Sequence, residues 1–256
     1  MTVHMQRLRN AYHRLGALGL TRRIGREAYA RTLRPLLPRT PALYSGIPVA
    51  IYGRVGDRAL KALLGTFDDG HDIETYEEAL LAGLRSYVRA GDRVTIVGGG
   101  AGVTVVAAAQ CVGEHGTVTC FEGSARQAGI ARETAALNHV ADRVTLHHAV
   151  VGPAIAVYGE AGAAESLSPD ALPACDVLEL DCEGAEVDIL QQLTFNPRVI
   201  LVETHGLYGA PTTLCARLLE GRGYRVRQLG VAEPQLAAYC DANDIRVLAG
   251  ELSPAD

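Results

Sequence analysis

The chain has 256 residues, 48% of them apolar, and a formal charge of −5. That suffices for one substantial core, and its apolar runs are strand-length, well short of the ~20 residues of a membrane-spanning helix. Six cysteines without a C-x-x-C pair, most of them inside apolar segments, argue against a disulfide framework or a zinc site and fit reduced thiols in a cytoplasmic protein.

Charge is unevenly spread. Nine arginines against Glu27 alone make residues 1–40 +8 and leave −13 for the rest, while lysine occurs only at Lys61. The N-terminus carries charges but no apolar stretch of a secretory signal. Residues 1–70 read as a basic helical arm plus short strands. Its helices carry an apolar stripe of Leu8, Tyr12, Leu15 and Leu18–Leu20 and end at Pro35, Pro38 and Pro41. Docking on the main domain is the expected role. A surface for an anionic substrate, a membrane surface or nucleic acid is the alternative, and a homodimer contact is a further use. Strands are expected at Ile47–Tyr52 and near Gly65–Phe67.

Residues 71–256 have a regular pattern. Ile73 to Arg89 is periodic as a helix, with Tyr76, Leu80, Leu81, Leu84 and Val88 on one side. Arg93–Val97 is a strand, followed by Gly98-Gly99-Gly100-Ala101-Gly102 and an Ala/Val-rich helix to Cys111. Thr117–Phe121 is a strand ending at Glu122, and Ser124 N-caps a helix to Asn138. Arg143–Val151 is a third strand. After a polar stretch come the strand Asp176–Leu180, the helix Gly184–Leu193, the strand Arg198–Glu203 and the helix Pro211–Glu220. Gly223–Leu229 and Ile245–Leu248 read as an antiparallel hairpin, because their link carries little helical signal. Alternating strands and helices predict an α/β fold: a Rossmann-like, doubly wound, mostly parallel sheet of about seven strands with a helical N-terminal extension.

Four groups carry chemistry. The glycine loop after the first strand permits a tight turn and backbone amides close to a ligand at a helix N-terminus. No Gly-Lys-Ser/Thr follows, which excludes a P-loop. Val103 stands where G-x-G-x-x-G requires glycine, so a dinucleotide site fits poorly. Glu122, at the end of the next strand and 24 residues after Gly98, is placed to accept ribose hydroxyls, which makes an adenosine-binding half-fold. In Asp176-Val177-Leu178-Glu179-Leu180-Asp181-Cys182-Glu183-Gly184-Ala185-Glu186, alternation points Glu179 and Asp181 the same way. Burying those acids demands a cation, donors or a metal. The sulfonium and ammonium of S-adenosylmethionine are suitable cations. Val202-Glu203-Thr204-His205-Gly206 brings Glu203 and His205 to the same rim.

Tyr76-Glu77, the Gly98–Gly102 loop, Glu122, Leu178 to Glu186 and Val202 to His205 together resemble the FkbM-type family of S-adenosylmethionine-dependent methyltransferases. The resemblance covers about Tyr76 to Val226 and rests above all on the match to its lysine/glutamate-x-Asp-x-Glu-Gly-x-Glu signature. It implies a class I methyltransferase fold and methyl transfer to oxygen on a sugar, glycan or secondary metabolite. It also implies cofactor binding at Tyr76, Glu77, Gly98, Gly99, Gly100, Gly102, Glu122, Gly123 and Asp181. One departure stands out: methyltransferases usually carry an acid two residues before the first loop glycine, where this chain has Ile96. Glu77, Asp181 or a water is the expected substitute.

Methyl transfer is an in-line displacement that needs an aligned nucleophile and an acceptor for its proton. Asp181 or His205 is the expected base, with Glu203 orienting His205 or binding substrate. No metal is assigned; an Asp181/Glu203 pair holding a divalent cation is the less favoured alternative. Rival readings are a non-catalytic S-adenosylmethionine or S-adenosylhomocysteine module and an NAD-dependent oxidoreductase. The latter is weakened by the glycine spacing and the missing Tyr-x-x-x-Lys pair. A small-molecule or glycan acceptor is preferred to nucleic acid, which the acidic main domain would repel.

Overall fold

The structure, a computed structural model, describes residues 18–19, 21–57, 72–155 and 162–252. Contacts divide the chain into two units, Met1–Ala42 with Ile51–Asp72 and Leu43–Ala50 with Ile73–Asp256. Leu8, Tyr12, Leu15, Leu20 and the strand expected near Gly65–Phe67 lie outside the described residues.

In the smaller unit, residues 21–31 are helical and almost wholly exposed, with Arg23 and Glu27 paired at i,i+4 (3.3 Å). Tyr29 is the buried exception. Its hydroxyl donates to Asp57 Oδ1 (2.7 Å), and Asp57 also takes the Arg54 amide (2.8 Å) and the Arg34 guanidinium (3.2 Å). The prolines do not end a single helix. Pro35 opens the short 3₁₀ turn Arg34–Leu36, and Pro41 lies inside strand β1, Arg39–Tyr44. Proline is depleted in strands, so Pro41 masks the strand signal and leaves β1 unreadable locally. β2 is Ile47–Arg54 and β3 is Asp72–Ile73; the three form a small sheet in the order β2-β1-β3.

The larger unit is a doubly wound α/β domain. Its elements are helix α1 (Glu78–Tyr87), β4 (Arg93–Val97), α2 (Val103–Val112), β5 (Thr117–Glu122), α3 (Ala125–Leu137), β6 (Val144–Val151), β7 (Glu165–Leu167), β8 (Val177–Leu180), α4 (Glu186–Gln192), β9 (Val199–His205), α5 (Thr212–Gly221), β10 (Tyr224–Gly230), α6 (Ala237–Asn243) and β11 (Ile245–Leu252). The sheet order is β10-β11-β9-β8-β4-β5-β6-β7. Every pairing from β9 to β7 is parallel, and β11 is antiparallel to both neighbours. The sheet therefore has eight strands rather than about seven.

Three other expectations are corrected. α1 starts at Glu78, because Asp72–Ile73 is extended and residues 74–77 turn. The three-residue β7 lies in the stretch read only as polar. The link between β10 and β11 contains α6, although those strands do pair antiparallel as expected.

Helices α1, α2 and α3 pack in succession on one face, where Gly83 of α1 lets Leu201 of β9 approach. Leu80, Leu81 and Leu84 of α1 are at most 1% exposed, each contributing roughly 1.5–3 kcal/mol by burial. The other face closes over Leu178, Leu180, Ile200 and Val202 with Ile189 of α4 and Leu219 of α5. Ser124 caps α3, its Oγ accepting from Gln127 N at 3.4 Å. No helix among the described residues is long and apolar enough to cross a membrane.

From β4 the chain steps outward through β5, β6 and β7, then returns to add β8 on the other side. β4 and β8 thus flank the point where strand order reverses, and the crevice beyond their carboxyl ends is where such sheets place ligands.

Candidate functional site

The loop after β4 and the loop after β8 touch at the reversal point. Gly98 (φ +95) lies so close to β8 that an added Cβ would fall 1.6 Å from the Asp181 carbonyl oxygen. Gly98 N donates to Phe121 O (2.8 Å) and Asp181 N to Val97 O (2.9 Å), so both loops leave the ladder in register. Gly99 and Gly102 are held by packing too: their Cβ positions would meet Cys120 Sγ at 2.3 Å and Ala131 Cα at 2.8 Å. Gly100 differs. At φ +48 its nearest neighbour would be the Tyr76 hydroxyl at 3.7 Å, so the loop opens to a ligand there.

Glu122 ends β5 as expected, nearly buried, with Oε2 accepting from Gly100 N (2.8 Å) and Oε1 from Ser124 N (2.7 Å). Burial raises its pKa, and those amides oppose the rise. Its carboxylate thereby ties the glycine loop to the start of α3, leaving its other lone pairs for a ligand. The Gly123 carbonyl lies 3.2 Å from His148 Nε2.

Tyr76 and Glu77 sit in the turn before α1. The Tyr76 ring packs on Tyr44 (4.8 Å between centroids), and Ser45 Oγ donates to the Tyr76 carbonyl (2.6 Å). Glu77 is left-handed (φ 49) and hydrogen-bonded to the Tyr76 hydroxyl. Burial and the charges of Asp181 and Glu179 hold its carboxyl well above the usual range.

The acids of β8 and β9 converge beside this turn. Glu179 is 1% exposed; its neighbour Thr104 gives a hydrogen bond, yet Oε2 has no partner among the described residues. Burial and then Asp181 push its pKa to about 8. Burial also lifts Asp181 to about 7, against the pull of His205. Glu203 is 8% exposed and raised in the same way, with Asp181 and Glu77 adding to the burial effect. One ligand atom from each of Asp181, Glu203 and His205 lies within 4.8 Å of the others. None of Glu77, Glu179, Asp181 or Glu203 is paired with an arginine or lysine among the described residues.

Glu186, fully buried at the start of α4, organises the β8 loop. Its carboxylate accepts from Cys182 N (3.1 Å) and Gly184 N (2.8 Å), and Oε1 lies 2.9 Å from His205 Nδ1. A carboxylate so used only accepts, so Nδ1 carries the proton and Nε2 faces Asp181 Oδ1 at 3.7 Å. Burial lowers the His205 pKa, but the Glu186 bond and the charge of Asp181 raise it more, and the net shift is upward.

Glu203 was expected either to orient His205 or to bind substrate; the residue hydrogen-bonded to His205 Nδ1 is Glu186. Glu186 stood in the quoted motif without a role, because a bond between the tips of two strand–loop segments 19 residues apart leaves no spacing signal. Of the other named residues, Gly100 lies beside the Tyr76 hydroxyl and bonds Glu122, and Glu77 feels the charge of Asp181, whereas Gly98, Gly99 and Gly102 pack against Asp181, Cys120 and Ala131 and the Gly123 carbonyl faces His148. Ile96 is fully buried, and its register partner on β8 is Glu179, an acid that was not among the expected substitutes Glu77 and Asp181.

No family model and no curated protein matches the chain. Among solved structures it is similar to a precorrin-6y C5,15-methyltransferase from Geobacter metallireducens, at 18% identity over 68% of this chain and 87% of that one, with a TM-score of 0.46. It is also similar to a SAM-dependent O-methyltransferase from Thermotoga maritima (15% identity, 71% and 67% covered, TM-score 0.47). A third is the O-methyltransferase TomG from Streptomyces achromogenes in complex with SAM (18% identity, 69% and 79% covered, TM-score 0.42). Likeness of this degree leaves fold and site resting on the chain's own geometry.

Proposed function

We propose that the chain is an S-adenosylmethionine-dependent methyltransferase acting on a hydroxyl oxygen. The observation that carries this reading is the cluster of carboxyl groups Glu77, Glu179, Asp181 and Glu203, of which Glu179 and Glu203 are buried and Glu77 and Asp181 partly so, all raised in pKa and none paired with an arginine or lysine among the described residues. Carboxylates left unpaired in a protein interior cost several kcal/mol each, which a cationic ligand offsets. A sulfonium and an ammonium on one adenosine meet that requirement. A dinucleotide does so poorly, because its pyrophosphate would face the same acids.

In this reading, Gly100 and Glu122 border the adenosine, while Tyr76, Glu77 and Asp181 face the cationic amino-acid end. Bound there, the cofactor supplies a methyl carbon activated by the sulfonium. The chain's own task is to align the acceptor and lower the cost of removing its proton, and Asp181, Glu203 and His205 form the face that meets the hydroxyl. The finer assignment to an FkbM-type O-methyltransferase, with a sugar, glycan or secondary metabolite as acceptor, rests on the motif from Leu178 to Glu186.

Calorimetry with S-adenosylmethionine, S-adenosylhomocysteine and NAD tests the reading, with Glu122→Ala as control. Micromolar binding of the first two, lost in the variant, supports it; binding of NAD alone overturns it. His205→Ala should abolish turnover while S-adenosylhomocysteine still binds. If binding is lost as well, His205 belongs to the cofactor site instead.

A further inference from the structure

We infer that Asp181, Glu203 and His205 form a binding site for a divalent first-row transition-metal ion, with Glu186 fixing the imidazole that points into it. Binding of the ion stands on these residues alone; only its use, polarising the acceptor hydroxyl, rests on the methyltransferase reading.

Geometry comes first. Donors about 2.0–2.2 Å from one ion lie up to about 4 Å from each other. His205 Nε2 and Asp181 Oδ1 are 3.7 Å apart, and the Glu203 oxygen completes a set within 4.8 Å, so a small side-chain rotation closes the site. The three residues sit at the carboxyl ends of β8 and β9, neighbouring strands of a parallel ladder, which fixes their backbones.

The second observation is the state of the donors. Because Glu186 holds Nδ1, Nε2 is the ring nitrogen turned toward the Asp181 carboxyl, and the two stand 3.7 Å apart, too far for a direct hydrogen bond and about the spacing of two donors on one ion. Glu203 is more than nine-tenths buried and makes no hydrogen bond or ion pair among the described residues. Beneath it, on the same face of β8 as Asp181, Glu179 Oε2 is also unpartnered. Buried side-chain oxygens are left so only rarely, and Asp181, which shares the β8 face with Glu179, is itself one of the three converging donors.

One imidazole nitrogen and two carboxylates suit manganese, iron, cobalt or zinc better than magnesium or calcium, which prefer oxygen alone. An ion there would draw electron density from a bound hydroxyl and ease loss of its proton.

The test uses Mn²⁺ as probe. The full chain, stripped with a chelator, is titrated with MnCl₂ while electron paramagnetic resonance follows the free ion. One ion per chain is expected, with affinity falling at least about 10-fold in Glu203→Gln and Asp181→Asn, about 10–100-fold in Glu186→Gln, and unchanged in the surface control Asp142→Asn. Melting without Mn²⁺ guards against misfolding: Glu203→Gln should melt no lower than wild type, and added Mn²⁺ should raise the midpoint of wild type alone. Absence of sub-millimolar binding, or binding undiminished in Glu203→Gln, overturns the site and leaves the acids to protons or to the cofactor's charge. S-adenosylhomocysteine calorimetry on the same samples separates the two readings. Binding of that ligand without Mn²⁺ binding rejects the metal alone; the reverse rejects the methyltransferase.

Discussion

His205 Nδ1 and Glu186 Oε1 lie 2.9 Å apart, joining the tip of β9 to the first turn of α4. The same carboxylate holds the Cys182 and Gly184 amides, so one buried side chain sets both the β8 loop and the direction of the imidazole. Its role is positional, since it need not touch the reacting atoms.

Glu186→Gln is therefore expected to lower kcat about 10–100-fold while S-adenosylhomocysteine affinity changes little. Steady-state kinetics beside calorimetry checks this. Equal losses in both would mean that Glu186 supports the cofactor pocket rather than the imidazole.

Two glycine substitutions should part company. In Gly98→Ala the new Cβ would lie 1.6 Å from a backbone oxygen at φ +95, so the variant should lose more than about 3 kcal/mol of stability or fail to fold. In Gly100→Ala the nearest atom is 3.7 Å away, so the cost should be near the ~1–2 kcal/mol of left-handed strain. The methyl group would then project toward the ligand space and weaken cofactor binding. Urea unfolding and calorimetry separate packing from recognition at adjacent turns of one loop.

Above about pH 8, where the Glu179 carboxyl is ionised, Glu179→Gln keeps the shape and the Thr104 contact while removing a buried charge that lacks a partner among the described residues. The ligand-free variant should melt a few degrees higher than wild type, equivalent to about 1 kcal/mol. S-adenosylhomocysteine should bind about 10-fold more weakly if this acid, register partner of Ile96, faces the cationic end of the cofactor. A higher midpoint with unchanged binding would confine Glu179 to the floor of the sheet.

In the smaller unit, Asp57 is opposed by burial but held below the usual carboxylate range by Tyr29, the Arg54 amide and Arg34. A depressed folded pKa contributes stability that is present above the ordinary value of 3.8 and is lost as pH falls through the folded value. Tyr29→Phe removes the largest of the lowering contacts, so the Asp57 carboxyl should titrate at higher pH and the acid transition of this unit should begin earlier. Carboxyl carbon resonances followed from pH 6 to pH 2 give the midpoint directly; an unmoved midpoint would reject the contact.

Much of the larger unit was legible because its signals are local. β4 and β5 are bounded by Gly91-Asp92 and by glycines, the Ser124 cap announces α3, and strand parity places Glu179 with Asp181. What escaped depends on partners distant in sequence. β7 is a three-residue edge strand defined by pairing with β6, and β1 hides behind Pro41. α6 is seven residues long, too short for a periodic pattern. The site shows the same division. Glu122 and Asp181 could be placed from strand ends, whereas Glu186 behind His205 and Glu179 beside Ile96 required the fold.

β11 lies between β9 and β10, pairing Ile245 with His205 and Val247 with Glu203. During synthesis, the strand bearing Glu203 and His205 therefore waits with one edge bare until residue 252 has cleared the ribosome. Ribosome-held chains stopped before β11 should lack an assembled crevice, so catalytic competence would come as a single late event rather than growing with chain length.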